Sequence, residues 1–303
     1  MNKEKISVNI LGYGFVGSAC GFLCEKNNVE FNVCDTQLKT GNFNYFNNIS
    51  KLVNFSESKS DINYYFICVP TPSDSEGKCD TSIVENVIGQ LSLAVNKRSI
   101  IILKSTIKPG TTRALYNKYN NEKLDIVFCP EFLREVSYKL DIYSAKFVLF
   151  GIHENQRGLI NDLKDLFTNY LYKHNNTTTT TTTTTTETTI TTPFEFYFKT
   201  FEECELFKYT LNTFFATKIT FFNEIYDLCD TMGVDYQNLK SLFKLDKRIG
   251  DYGTVVPGMD GFGYTRSCLP KEIRALIKLQ QELGLSNDLA CCVDKRNLYF
   301  RSK

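Results

Sequence analysis

One short stretch restricts the folds open to this chain more than any other. Ile6-Ser7-Val8-Asn9-Ile10-Leu11 reads as a strand that breaks at Gly12-Tyr13-Gly14-Phe15-Val16-Gly17, after which Ala19, Cys20, Phe22 and Leu23 recur with helical spacing. Strand, glycine turn and helix in that order make the phosphate-binding start of a βαβ unit. The first glycine permits the tight turn, the second lets backbone approach a pyrophosphate, and the third lets helix and strand pack closely. A second strand, Phe31-Asn32-Val33-Cys34, ends at Asp35. An acid there accepts hydrogen bonds from a ribose 2′-hydroxyl and repels a 2′-phosphate. The stretch therefore reads as a dinucleotide site taking NAD rather than NADP, with Gly12, Gly14, Phe15, Val16, Gly17 and Asp35 lining it; the alternative is a plain glycine-rich turn.

The pattern continues along the chain. Residues 36–60 are rich in Asn, Ser and Lys and read as an irregular connection with room for one short helix. Tyr64 to Val69 is continuously apolar, as a strand buried on both faces should be, and stops at Pro70-Thr71-Pro72. Ligands of doubly wound sheets bind beyond the carboxyl ends of the strands, so Val69, Pro70 and Thr71 should border the cofactor. A helical pattern from Ile83 to Val95 precedes the strand Ser99–Leu103, which runs into Lys104-Ser105-Thr106-Ile107-Lys108-Pro109-Gly110-Thr111-Thr112. The strand Leu124–Phe128 leads to Cys129-Pro130-Glu131-Phe132-Leu133-Arg134-Glu135. If that segment is helical, Glu131 and Glu135 share a face toward a ligand; by spacing they read equally as a solvated helix face.

A threonine run from Thr177 to Thr186 lacks varied apolar residues and is expected to be a disordered surface insert over 175–192. Phe194 to Phe198 suggests a last strand. From Glu202 to Met232 apolar residues recur at three- and four-residue steps, giving one long amphipathic helix ended by Gly233. Lys208 and Asn212 share a face of it.

Near the end, Gly261-Phe262-Gly263-Tyr264-Thr265-Arg266-Ser267-Cys268-Leu269-Pro270-Lys271-Glu272 sets a cysteine after a glycine-bearing loop and before a helical run. Free N–H groups and the helix dipole at such a position lower a thiol pKa, which makes Cys268 a candidate nucleophile. It is also one of 11 cysteines, and small buried hydrophobe is the ordinary role of a cysteine.

Composition excludes several classes. A net charge of +1 argues against nucleic acid or an anionic membrane recognised through bulk charge. No apolar run is long enough to span a bilayer, and Met1-Asn2-Lys3-Glu4-Lys5 runs into the first strand without a signal-peptide core, so the expected location is the cytoplasm. There the cysteines, scattered without the spacing of a zinc site, would stay reduced, and no metal is expected.

Taken together, Gly12–Gly17, the segment Cys68-Val69-Pro70-Thr71-Pro72, Lys104–Thr112, Cys129–Glu135, Glu205–Phe214, Asp246-Lys247-Arg248-Ile249-Gly250 and the cysteine loop resemble the UDP-glucose/GDP-mannose dehydrogenase family, most of all its UDP-glucose 6-dehydrogenase branch. The resemblance implies an α/β fold: a Rossmann-type doubly wound parallel sheet over residues 1–200, then an all-helical central domain over 201–303 that forms a homodimer through the 202–232 helix. The family's further UDP-binding domain is expected to be absent from this chain.

It also implies NAD-dependent oxidation of a nucleotide sugar, UDP-glucose in this branch, through a thiohemiacetal and a thioester on Cys268. Lys208 and Asn212 would steady the oxyanion, Thr106 and Glu131 would position or activate water with Glu135 in support, and Lys271 and Glu272 would flank the thiol. Thr106 and Glu135 would also border the cofactor. Glu131, Phe132, Leu133, Lys208, Arg248, Gly263 and Lys271 would hold the substrate. In an ungapped match Thr265 and Arg266 stand where the family loop has two glycines, and Glu272 stands where it has aspartate. A GDP-mannose dehydrogenase and a non-catalytic dinucleotide-binding scaffold are the alternative readings.

Overall fold

The computed structural model describes residues 4–74, 77–173, 180–183, 186–189, 194–265 and 268–303. The chain divides into two units, Met1–Pro72 with Thr81–Leu206, and Ser73–Asp80 with Phe207–Lys303.

The first unit is built on strands whose side chains alternate between two apolar layers. The strands are β1 (Ile6–Leu11), β2 (Phe31–Cys34), β3 (Asn44–Phe46), β4 (Ile62–Ile67), β5 (Arg98–Leu103), β6 (Leu124–Phe128) and β7 (Phe147–Gly151). In β5, Ile100 and Ile102 enter one core while Ile101 and Leu103 enter the other; in β4, Tyr64 and Phe66 oppose Tyr65 and Ile67 in the same way. Burial on both faces is why these runs are continuously apolar. One layer is closed by α1 (Phe15–Lys26), α5 (Tyr138–Tyr143) and a π-helical turn Leu166–Leu171 that follows α6 (Ile160–Asp165). The other is closed by α2 (Ile49–Lys59), α3 (Ser82–Ala94), α4 (Thr111–Tyr119) and the start of α7 (Phe201–Met232).

β8 (Thr180–Thr183) and β9 (Thr186–Thr189) pair as an antiparallel ladder, and β10 (Glu195–Lys199) completes the main sheet. That sheet has the order β3-β2-β1-β4-β5-β6-β7-β10. The six strands from β3 to β6 are parallel, the doubly wound arrangement expected. β7 meets β6 in one antiparallel pair, and β10 runs parallel to β7, so the far edge reverses direction.

Two local expectations change. Residues 36–60 hold a strand and a full helix: β3 gains pairing from β2, and α2 buries Ile49, Leu52 and Val53 beneath a polar surface. Of the insert expected to be disordered over 175–192, the described residues are those of β8 and β9, and the rest lies outside the described residues. The segment Cys129–Arg134 has no helix, so Glu131 and Glu135 do not share a helical face. A cysteine-proline step at its start disfavours helical backbone there; Glu131 is buried and Glu135 exposed.

The second unit contains no strand among its described residues. The body of α7, with α8 (Tyr236–Leu242), α9 (Cys268–Glu282) and α10 (Asp288–Arg301), buries Ala216, Tyr264, Ile273, Ala290 and Val293 in one cluster and Phe222, Cys229, Tyr236 and Val256 in another. The long helix stops where the sequence placed its end, at Gly233, whose φ of 68° is left-handed.

Candidate active site

The glycine turn of the first unit has the form its sequence requires. Gly12 has a φ of 85°, and a Cβ on it would meet the carbonyl oxygen of Cys68 at 2.8 Å. A Cβ on Gly17 would lie 2.0 Å from the carbonyl of Gly12, so only glycine lets α1 approach the strand this closely. Above Gly14 there is open space, and α1 starts without a side-chain cap. Uncapped first-turn N–H groups facing open space fit a pyrophosphate. Asp35 closes the turn: one carboxylate oxygen accepts from the N–H of Tyr13 at 2.7 Å and the other from the N–H of Gln37 at 2.8 Å. Lone pairs remain for a ribose hydroxyl. These residues fit NAD.

The loops that follow β4 and β5 are tied to each other. Thr71 Oγ1 donates to the carbonyl of Thr106 at 2.7 Å, and Ser105 Oγ to that of Val69 at 2.7 Å. The structure thereby brings Val69, Thr71 and Thr106 together at the carboxyl ends of the central strands, while Pro70 is exposed. Glu131, buried beyond β6, accepts from the N–H of Leu133 at 2.6 Å. Phe132 and Leu133 are half-buried.

Sequence reasoning passed over Glu205, the most enclosed acid of this unit. Its carboxylate accepts from the N–H of Gly110 at 2.6 Å and from the N–H and hydroxyl of Thr112 at 2.8 and 2.6 Å, capping α4. Burial nevertheless outweighs these bonds and pushes its pKa up to about 7.

In the second unit, α9 begins at Cys268, which is half-buried. Asn212 on α7 donates to Glu272 Oε2 at 2.7 Å, holding a carboxylate that is 1% exposed. Lys208, one turn earlier on α7, is 3% exposed, and Lys271 on α9 is half-buried. Lys208, Asn212, Glu272 and Cys268 thus belong to two helices pinned to each other by the Asn212–Glu272 bond. Among the described residues, no group of three or more His, Cys, Asp and Glu is arranged to hold a metal.

Two asparagines that carry no local signal order the loop before the thiol. Gly263, at φ 71°, donates its N–H to Asn223 Oδ1 at 2.9 Å. Asn297 on α10 takes both backbone groups of Tyr264, accepting from its N–H at 2.7 Å and donating to its carbonyl at 3.0 Å. A Cβ on Gly263 would lie 2.5 Å from Asn297 Oδ1, so glycine is required there. Thr265 is half-buried, and Arg266 lies outside the described residues. The hydrogen bonds of Arg248 go to Asp246, two positions away, and its side chain is exposed; the structure joins it to none of the other named residues.

Residues 34–171 match the NAD binding domain of the UDP-glucose/GDP-mannose dehydrogenase family, and residues 202–299 match its central domain. The chain belongs to that family. NAD is therefore its cofactor, in keeping with the glycine turn and Asp35. It is 30% identical over 250 residues to the UDP-glucose 6-dehydrogenase of Pseudomonas aeruginosa, covering 80% of this chain and 50% of that one. With the UDP-glucose 6-dehydrogenase of Rickettsia bellii the identity is 32% over 226 residues, covering 73% of this chain and 46% of that one. The chain thus spans about half the length of these relatives. A solved UDP-glucose dehydrogenase from Pyrobaculum islandicum superposes with a TM-score of 0.77 at 23% identity, over 98% of this chain and 68% of that one, a likeness of fold. No helix of the described residues is long and apolar enough to cross a membrane.

Proposed function

We propose that this member of the family oxidises the C6 alcohol of a nucleotide sugar to a carboxylate, with UDP-glucose as substrate and UDP-glucuronate as product. The observation that carries the reading is the hydrogen bond from Asn212 to Glu272, which draws the Lys208 and Asn212 face of α7 to the first turn of the helix that opens at Cys268.

Bound NAD supplies the hydride acceptor at each of the two oxidation steps. The chain's own residues do the rest. An aldehyde at C6 has no second hydride to give until a nucleophile adds, so the Cys268 sulfur attacks it, forming a C–S bond and a thiohemiacetal. Lys208 and Asn212 donate to the oxygen while it carries negative charge. After the second oxidation a thioester remains on Cys268, and water attacks its carbonyl, releasing the carboxylate and the thiolate. Thr106 and Glu131 position and activate that water with Glu135 in support. Glu131, Phe132, Leu133, Lys208, Gly263 and Lys271 hold the sugar nucleotide, and Arg248 reaches it from a partner subunit.

The assembly we propose is a homodimer through α7. Phe207, Phe214, Phe221 and Leu228 recur every seventh residue along that helix and are 43%, 59%, 54% and 53% exposed, an apolar seam with the repeat of a helix–helix interface. Sedimentation of Phe214→Glu/Phe221→Glu should give a monomer where the parent chain gives a dimer.

The catalytic reading is tested by following NADH formation from UDP-glucose and NAD. Two NADH per UDP-glucuronate are expected. Unchanged turnover in Cys268→Ala would remove Cys268 from the chemistry, and no NADH from UDP-glucose or another nucleotide sugar would leave dinucleotide binding alone.

A further inference from the structure

Beneath α1 the dinucleotide unit encloses a cavity of about 200 Å³. Val8 on β1, Leu23 on α1, Phe66 on β4, and Phe167 and Leu171 on the π-helical turn form much of its wall, and all five belong to one apolar core cluster. Neither the glycine turn nor Cys268 lines it. Of the lining residues, Lys146 and Phe147 are exposed, which puts the opening beside the start of β7.

One charged group interrupts the apolar wall. Lys104 follows β5 directly, its backbone N–H donating to the carbonyl of Ile67 at 2.9 Å, and its side chain lines the cavity at 7% exposure. From Nζ it donates to the carbonyl of Cys129 at 3.1 Å and to the sulfur of the same residue at 3.4 Å. Burial holds that thiol protonated, so both partners are uncharged. Among the described residues no carboxylate pairs with Lys104. The two acids that line the cavity are held by other groups: Glu131 accepts from the N–H of Leu133 at 2.6 Å, and Asp141 pairs with Arg134 at 2.6 Å. A buried ammonium ordinarily has a counter-charge. This one has neutral partners, and its three N–H donors exceed the two bonds it makes.

We propose that this cavity is a binding site for a small amphipathic monocarboxylate, aromatic or short-chain aliphatic. The carboxylate accepts from Lys104, and the hydrocarbon body packs against Val8, Leu23, Phe66, Phe167 and Leu171. Size and charge set the class. An apolar cavity of about 150 Å³ is large enough to hold a benzene ring, so the space here takes a six-carbon body together with one carboxylate. Sites for drug-sized ligands run to roughly 300–1,000 Å³, which excludes NAD and nucleotide sugars from this cavity. A single buried ammonium matches a single negative charge. The exposed ammonium of Lys146 at the opening favours entry of the same sign of ligand.

The test is to titrate the parent chain calorimetrically with sodium benzoate, with sodium hexanoate, and with benzyl alcohol as the neutral match to benzoate. Benzoate should bind about tenfold more tightly than benzyl alcohol, the effect of one charge-assisted hydrogen bond. Hexanoate against benzoate then tells whether a chain or a ring is preferred. With methyl-labelled protein, NMR should show contacts from the benzoate ring to the methyl groups of Val8, Leu23 and Leu171. Lys104→Met should remove the preference for benzoate and keep benzyl alcohol. Cys24→Leu, which adds bulk at the cavity wall, should abolish binding of both. Because Lys104→Met can fail to fold, the comparison of benzoate with benzyl alcohol on the parent chain is decisive by itself. Equal affinity for the two would overturn the role of Lys104. No binding of either carboxylate, benzoate contacts that miss these methyl groups, or unchanged binding in Cys24→Leu would overturn the site.

Discussion

The acids named at the candidate site are held by different means in the two units. In the dinucleotide unit, Asp35, Glu131 and Glu205 all accept from backbone N–H groups, of Tyr13 and Gln37, of Leu133, and of Gly110 and Thr112. In the helical unit, Glu272 is held by a side chain, Asn212. Anions held by main chain are secured by the path of the turn and tolerate changes around them. Those held by side chains can be lost by a single substitution.

The largest effect is expected at the thiol of the helical unit: Cys268→Ala should lower NADH formation by roughly a thousandfold or more, and turnover near that of the parent chain would remove Cys268 from the chemistry. Next comes Glu205→Ala, which strands three donors at the start of α4 and should cost about 3 kcal/mol in denaturant unfolding. The same residue sharpens the comparison through pH. Its carboxyl has a pKa of about 7 in the folded chain against 4.5 ordinarily, so the folded state keeps a proton the unfolded state has lost. Stability should therefore fall as pH rises between those values and level off above them, and Glu205→Gln should flatten the profile.

Legibility in the sequence depends on whether a role fixes a residue type at a set offset. The glycine turn and Asp35 were readable because each role fixes a residue type at a fixed offset. The end of α7 was readable because Gly233 punctuates an amphipathic period. Glu205 was not, since a glutamate near the start of a helix is an ordinary helix residue until Gly110 and Thr112 fold against it. The expectation of a shared helical face for Glu131 and Glu135 failed because four-residue spacing has meaning only inside a helix.

Smaller effects are expected in the helical unit. Asn212→Ala removes a hydrogen-bond donor from a buried carboxylate and should cost about 1–2 kcal/mol in unfolding together with a fall in kcat, while Asn212→Asp should be worse by setting two acids face to face. The smallest is Asp246→Asn. Its pairing with Arg248 is exposed, and thermal melting should not register the change. A measurable shift there would mean that Arg248 is engaged by more than its neighbour.

The clamp on the cysteine loop also sets an order of events. Asn297 is made 33 residues after Tyr264, whose backbone it secures. At the pace of a ribosome, about 5–20 residues per second, the loop waits on the order of seconds for its support.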